Sequence, residues 1–64
     1  MKNKIRHYRE IKNMTQEDLA KVSKVSRTII SRLENETLDV TTNTTMNKIA
    51  DALEVGIVEL FYSL

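Results

Sequence analysis

The sequence predicts an all-α domain of five short helices. Three observations carry this. Met46, Ile49, Ala50 and Leu53 fall at i, i+3, i+4 and i+7, the stripe of an amphipathic helix. There is no proline and the single glycine is Gly56, so no linker, repeat or internal boundary interrupts the chain. The stretch from Thr15 to Asn35 divides into two short helical patterns about a tight turn. Leu19 and Ala20 lie on the first, Val25 at the turn, and Ile30 and Leu33 on the second.

The first helix is expected from about Lys2 to Lys12. Ile5, Tyr8 and Ile11 recur every three residues and mark its buried side. Asn13 follows, a residue that tolerates the left-handed conformation in which helices often end. The second helix spans Gln16 to Ser23, with Thr15 as N-cap. Glu17 and Asp18 fall in its first turn, where the helix dipole favours negative charge. They point about 100° apart and form no catalytic carboxylate pair. The third helix spans Arg27 to Asn35 with Ser26 as N-cap. At about 100° per residue, Ser26, Ile30, Leu33 and Glu34 face inward, and Thr28, Arg32 and Asn35 face out. Arg27, Ile29 and Ser31 flank the outward face. Residues 36–41 read as a loop. Thr42 caps a fourth helix that runs to Leu53. Gly56 breaks its pattern, and Ile57 to Tyr62 form a last short helix.

The 64 residues make one domain, 1–64. A chain of this size buries only about 60% of its unfolded surface, so its stability is marginal. Without cysteine there is no disulfide and no Cys-based metal site. The core must come from tight helix packing or from a partner subunit. No run of 18 apolar residues is present, so no membrane span is expected. The N-terminus lacks the apolar core of a signal peptide, which points to a cytoplasmic location. Asn-x-Thr triplets at Asn13, Asn35 and Asn43 would accept glycans only in a secreted eukaryotic chain and read as chance.

The net charge of +1 conceals an asymmetry. Residues 1–32 hold nine Lys/Arg and three Asp/Glu, whereas residues 33–64 hold one Lys and six Asp/Glu. One basic half and one acidic half suit a molecule that turns one side to a polyanion. His7 stands alone among basic residues, with no metal or catalytic constellation around it. No Gly-rich phosphate loop, zinc-type spacing or Ser-His-Asp set is present, so the protein is not expected to be an enzyme. No cofactor, metal or small-molecule ligand is expected.

The Thr15–Asn35 stretch resembles the helix-turn-helix of the Cro and phage-repressor family of bacterial DNA-binding proteins. Thr15-Gln16 opening the second helix and Leu33-Glu34-Asn35 closing the third carry the resemblance. So do Arg9, Ile49-Ala50-x-x-Leu53, Val55 and Leu60-Phe61. In place of the family's usual turn glycine this chain has Lys24, which in a left-handed conformation carries a steric cost that glycine avoids. The resemblance implies a λ-repressor-like domain of bacterial or phage origin that binds double-stranded DNA and regulates transcription, most simply as a repressor. In such proteins the N-terminal residues of the second motif helix read base edges in the major groove. Here those are Arg27, Thr28 and Ile29, with Arg32 one turn on. Arg grips guanine O6 and N7, Thr meets a base or a thymine methyl, and Ile makes only apolar contact. Ile29 has a second reading, packed on the helix before it. Gln16, Lys24, Ser31 and Asn35 are the phosphate candidates. Arg9 and Glu34 pair in the family and are expected to form a structural ion pair. The following loop carries Glu36 and Asp39, which argues against its usual phosphate contact.

The last helix holds more apolar residues than one short helix can bury. Leu60 and Phe61 match core positions, leaving Val58, Tyr62 and Leu64 facing out as an expected homodimer interface. A two-fold dimer would match a palindromic operator. The alternative is a protein-binding module, an antitoxin or anti-repressor on the same fold. Such a module is expected to carry a tail that folds on its partner, and no such tail is expected here after Leu64.

Overall fold

The computed structural model describes residues 2–38 and 42–62. Five helices form among them in chain order: α1 (Ile5–Ile11), α2 (Gln16–Ser23), α3 (Arg27–Glu34), α4 (Asn43–Leu53) and α5 (Ile57–Phe61). The described residues contain no strand, and the all-α class holds. No helix among them is long and apolar enough to cross a membrane.

Hydroxyl side chains start three of the helices. Thr15 Oγ1 accepts the Asp18 N–H at 3.0 Å, and Asp18 returns a carboxylate oxygen to the Thr15 N–H at 3.0 Å, which makes a full capping box. Those bonds hold the Asp18 carboxyl below its ordinary range. Ser26 accepts the Ile29 N–H at 3.2 Å and Thr42 accepts the Thr45 N–H at 3.1 Å. Each satisfies a backbone donor that the first turn leaves without a partner.

Four helix ends turn through non-glycine residues of positive φ: Asn13, Lys24, Glu36 and Glu54. After α1, α3 and α4 the chain closes with paired bonds of the Schellman type. Their longer members are Met14 N–H to Arg9, Thr37 N–H to Arg32, and Val55 N–H to Ala50. Such turns satisfy carbonyls that the last turn would leave bare, and this gain offsets the left-handed cost of about 1–2 kcal/mol per residue.

Each helix sends a fully buried aliphatic side chain into one core: Ile5, Leu19, Ile30 and Leu33, Ile49 and Leu53, and Leu60. The expected α4 stripe of Met46, Ile49, Ala50 and Leu53 is buried throughout. Burying such a side chain contributes about 1.5–3 kcal/mol, so these few residues dominate the stability of a small domain. α2 packs chiefly on α4 and α3, which fixes the pair of helices around the Lys24 turn.

Three expectations need correction. Helix one starts at Ile5, not Lys2, because the residues before it bond elsewhere: Asn3 Nδ2 donates to the Leu33 carbonyl and the Lys4 N–H to the Leu60 carbonyl. Ile11 is 61% exposed rather than buried. A three-residue repeat drifts about 60° per step, so six residues after Ile5 the side chain has left its face by about 120°. Ser26 is exposed, since an N-cap with extended backbone does not follow the helical projection. Gly56 stands in the expected break between α4 and α5. α4 ends through Glu54 at φ 59°, and Gly56 has the ordinary extended conformation of an N-cap.

Candidate nucleic-acid interface

Ile30 and Leu33 anchor α3 in the core, and its amphipathic pattern leaves the opposite side free. Arg27, Thr28 and Arg32 are exposed and Ser31 is half-buried; together these four line an open concavity on the surface. Ile29 is half-buried and packs against the core, so only part of its side chain shares the outer face. The turn before α3 is tight. Lys24 sits at φ 61° and donates its N–H to the Ala20 carbonyl. The buried Ser23 hydroxyl accepts the Val25 N–H at 3.2 Å, and Val25 is buried beside it. Two helices held this closely present one outward face as a rigid unit.

A polar cluster locks the far end of α3 to α1 and α2. The Glu34 side chain is 0% exposed and that of Arg9 is 13%. Arg9 Nε donates to Glu34 Oε2 at 2.9 Å and its Nη2 to Oε1 at 3.0 Å, a bidentate grip. Arg9 Nη1 donates to the Met14 carbonyl at 2.8 Å. Two further donors reach Glu34 Oε1: Arg6 Nε at 3.2 Å and Gln16 Nε2 at 3.3 Å. Burial opposes ionisation of Glu34, but the hydrogen bonds from Arg9, Arg6 and Gln16 outweigh it and hold the carboxyl below its ordinary value. The bond to Glu34 in turn raises Arg9 above its ordinary value.

A family model described as helix-turn-helix matches residues 5–60. The chain belongs to the Cro and phage-repressor type of helix-turn-helix proteins. A similar protein from Methanocaldococcus jannaschii is named an uncharacterised HTH-type transcriptional regulator. It is 43% identical over 61 residues, which cover 95% of this chain and 91% of its own.

Within this helix-turn-helix domain the remaining candidates fall in two groups. Gln16, Lys24 and Asn35 border the motif. Gln16 is half-buried, with one amide hydrogen directed at Glu34, and Lys24 is exposed at the turn. Asn35 caps α3 and accepts a bond from Arg6 Nη2 at 3.5 Å. On α5, Leu60 and Phe61 are buried, whereas Val58 is 61% and Tyr62 62% exposed. Leu64 and Asp39 lie outside the described residues.

Two groups were not anticipated from the residues. Arg6 is a second guanidinium on Glu34, and its position three residues before Arg9, on the same helix face, is the signal that was there to read. Glu17 stands 3.9 Å from Arg27 across the motif. No local spacing marks that contact. His7 is exposed and meets the edge of Tyr8. Among the described residues no group of three or more His, Cys, Asp or Glu is placed to hold a metal.

Proposed function

We propose that the protein is a transcriptional repressor that binds double-stranded DNA in the cytoplasm as a homodimer on a palindromic operator, without catalysing a reaction. The observation that carries this is the exposed outer face of α3, where Arg27, Thr28 and Arg32 surround an open concavity while Ile30 and Leu33 hold the helix from behind. An α-helix fits the major groove, and Arg at that face grips guanine through two parallel hydrogen bonds. Thr28 meets a base edge or a thymine methyl, and the outer part of Ile29 adds apolar contact.

Gln16, Lys24, Ser31 and Asn35 take the phosphates, which position the helix without reading sequence. Gln16 opens α2, where backbone N–H groups favour an anion. Its amide keeps a second hydrogen beyond the one given to Glu34. The basic half of the chain supplies the long-range attraction.

The surface of α5 supports dimerisation. Val58 and Tyr62 are four residues apart and form one apolar patch. The backbone extends about 23 Å along its longest axis, and a single α3 enters one major-groove half-site, whereas two half-sites lie about 34–36 Å apart. Two copies joined through α5 provide that reach. Footprinting on the DNA flanking the protein's own reading frame tests the reading. Protection of two half-sites one turn apart, overlapping a promoter, is expected; no protected site anywhere on that DNA would count against operator binding there.

A further inference from the structure

α2 brings a carboxylate to the face that α3 turns outward. Glu17 Oε1 lies 3.9 Å from Arg27 Nη1, with both side chains exposed. Its neighbour Asp18 does not share this task, because Asp18 is engaged with the Thr15 backbone in the capping box. We infer that Glu17 is a positioning residue for base reading, which holds Arg27 by one corner and narrows the set of duplexes the protein accepts. The inference rests on the reading of Arg27 proposed above.

Two physical effects act together. Guanidinium carries five N–H donors in a planar fork. With Nη1 turned to Glu17, the edge formed by Nε and Nη2 stays free, and its two parallel donors match guanine O6 and N7. A long exposed side chain loses rotamer freedom when it grips a base. A partner already at one corner removes part of that loss before the duplex arrives. The pair is solvent-exposed and therefore weak, so it orients Arg27 without withholding it from DNA.

The second effect is repulsion. Glu17 is adjacent to Gln16, the phosphate candidate at the start of α2. Because it stands beside Arg27 on the outward face, its negative charge repels the phosphates of any duplex that this face meets. Only a site that engages Arg27 offsets that repulsion, so the charge disfavours wrong sequences more than the right one.

The test begins with a duplex selected from a random library by the parent protein. The guanine read by Arg27 is the one whose replacement Arg27→Ala no longer senses. Affinities of the parent, Glu17→Gln, Arg27→Ala and the double variant are then measured on three duplexes. These are the selected duplex, the same duplex with that G·C pair changed to A·T, and a scrambled duplex. Glu17→Gln is expected to shrink the ratio between the first two by about 2–5-fold, the range of an exposed pair. It should also bind the scrambled duplex more tightly. In the Arg27→Ala background the same substitution should leave the ratio unchanged and only raise all affinities together. A Glu17→Gln variant that keeps the parent's ratio, while Arg27→Ala loses it, overturns the role of Glu17 and leaves DNA reading intact. A parent that enriches no sequence overturns both.

Discussion

Removing the Glu34 carboxylate tests how α3 is held. Glu34→Ala deletes the acceptor for four hydrogen bonds, two from Arg9, one from Arg6 and one from Gln16. Arg6 is half in water and recovers its hydration. Arg9 does not: its side chain is 13% exposed and keeps only the Met14 carbonyl. Breaking a buried pair on one side costs about 3–5 kcal/mol, because the surviving charge is left uncompensated. The whole stability of a 64-residue domain is about 3–10 kcal/mol at the usual amount per residue. Each kcal/mol lowers Tm by about 4–8 °C at this size, so the variant should melt at least about 12 °C lower and be largely unfolded at 37 °C. Thermal denaturation followed by circular dichroism reads this directly. A Glu34→Ala protein melting within a degree or two of the parent would refute the reasoning.

The same carboxylate sets a pH dependence. Its folded pKa lies below the ordinary glutamate value of 4.5, so its contribution is fully present above that value. The contribution is lost as pH falls through the lowered folded value. Acid unfolding of the parent should therefore deepen below about pH 4.5, and Glu34→Ala should show a shallower acid limb.

Three further outcomes are expected. Lys24→Gly relieves the left-handed strain at φ 61° and should stabilise the fold by up to about 1 kcal/mol, seen as a higher Tm, while weakening binding to all duplexes slightly. Arg27→Ala and Arg32→Ala should each lose about 1–3 kcal/mol on the selected duplex and relax discrimination at one position, whereas Gln16→Ala should weaken all sequences alike; competition binding with single base-pair variants separates the two. Sedimentation at micromolar concentration should find the parent as a dimer and the Val58→Asp/Tyr62→Asp variant as a monomer, and equal masses would remove the α5 interface.

Much of the fold was legible because its signals are local. Thr15, Ser26 and Thr42 are N-caps by residue type and context, and they start α2, α3 and α4 where expected. The α4 stripe needs only helical spacing. What local patterns could not supply came from bonds between distant segments. Asn3 and Lys4 reach Leu33 and Leu60, which delays α1. Glu54 adopts the left-handed turn although glycine is two residues away, because the paired bonds that close α4 require that position. The outward face of α3 follows from 100° per residue, whereas the Glu17–Arg27 contact exists only once the turn has set two helices side by side. Arg9 and Glu34 were legible through the resemblance. The bond from Gln16 to Glu34 was not, since it joins residues 18 positions apart on different helices.

Equilibrium binding of the selected duplex across a salt series, beside a scrambled duplex of equal length, tests DNA recognition by the α3 face most directly. With about 6–10 phosphates contacted per dimer, log K should fall against log salt with a slope of about −5 to −9. The selected duplex should stay the tighter of the two throughout. A flat salt response, or equal affinity for both duplexes at every salt concentration, would contradict DNA recognition and favour a protein partner for this fold.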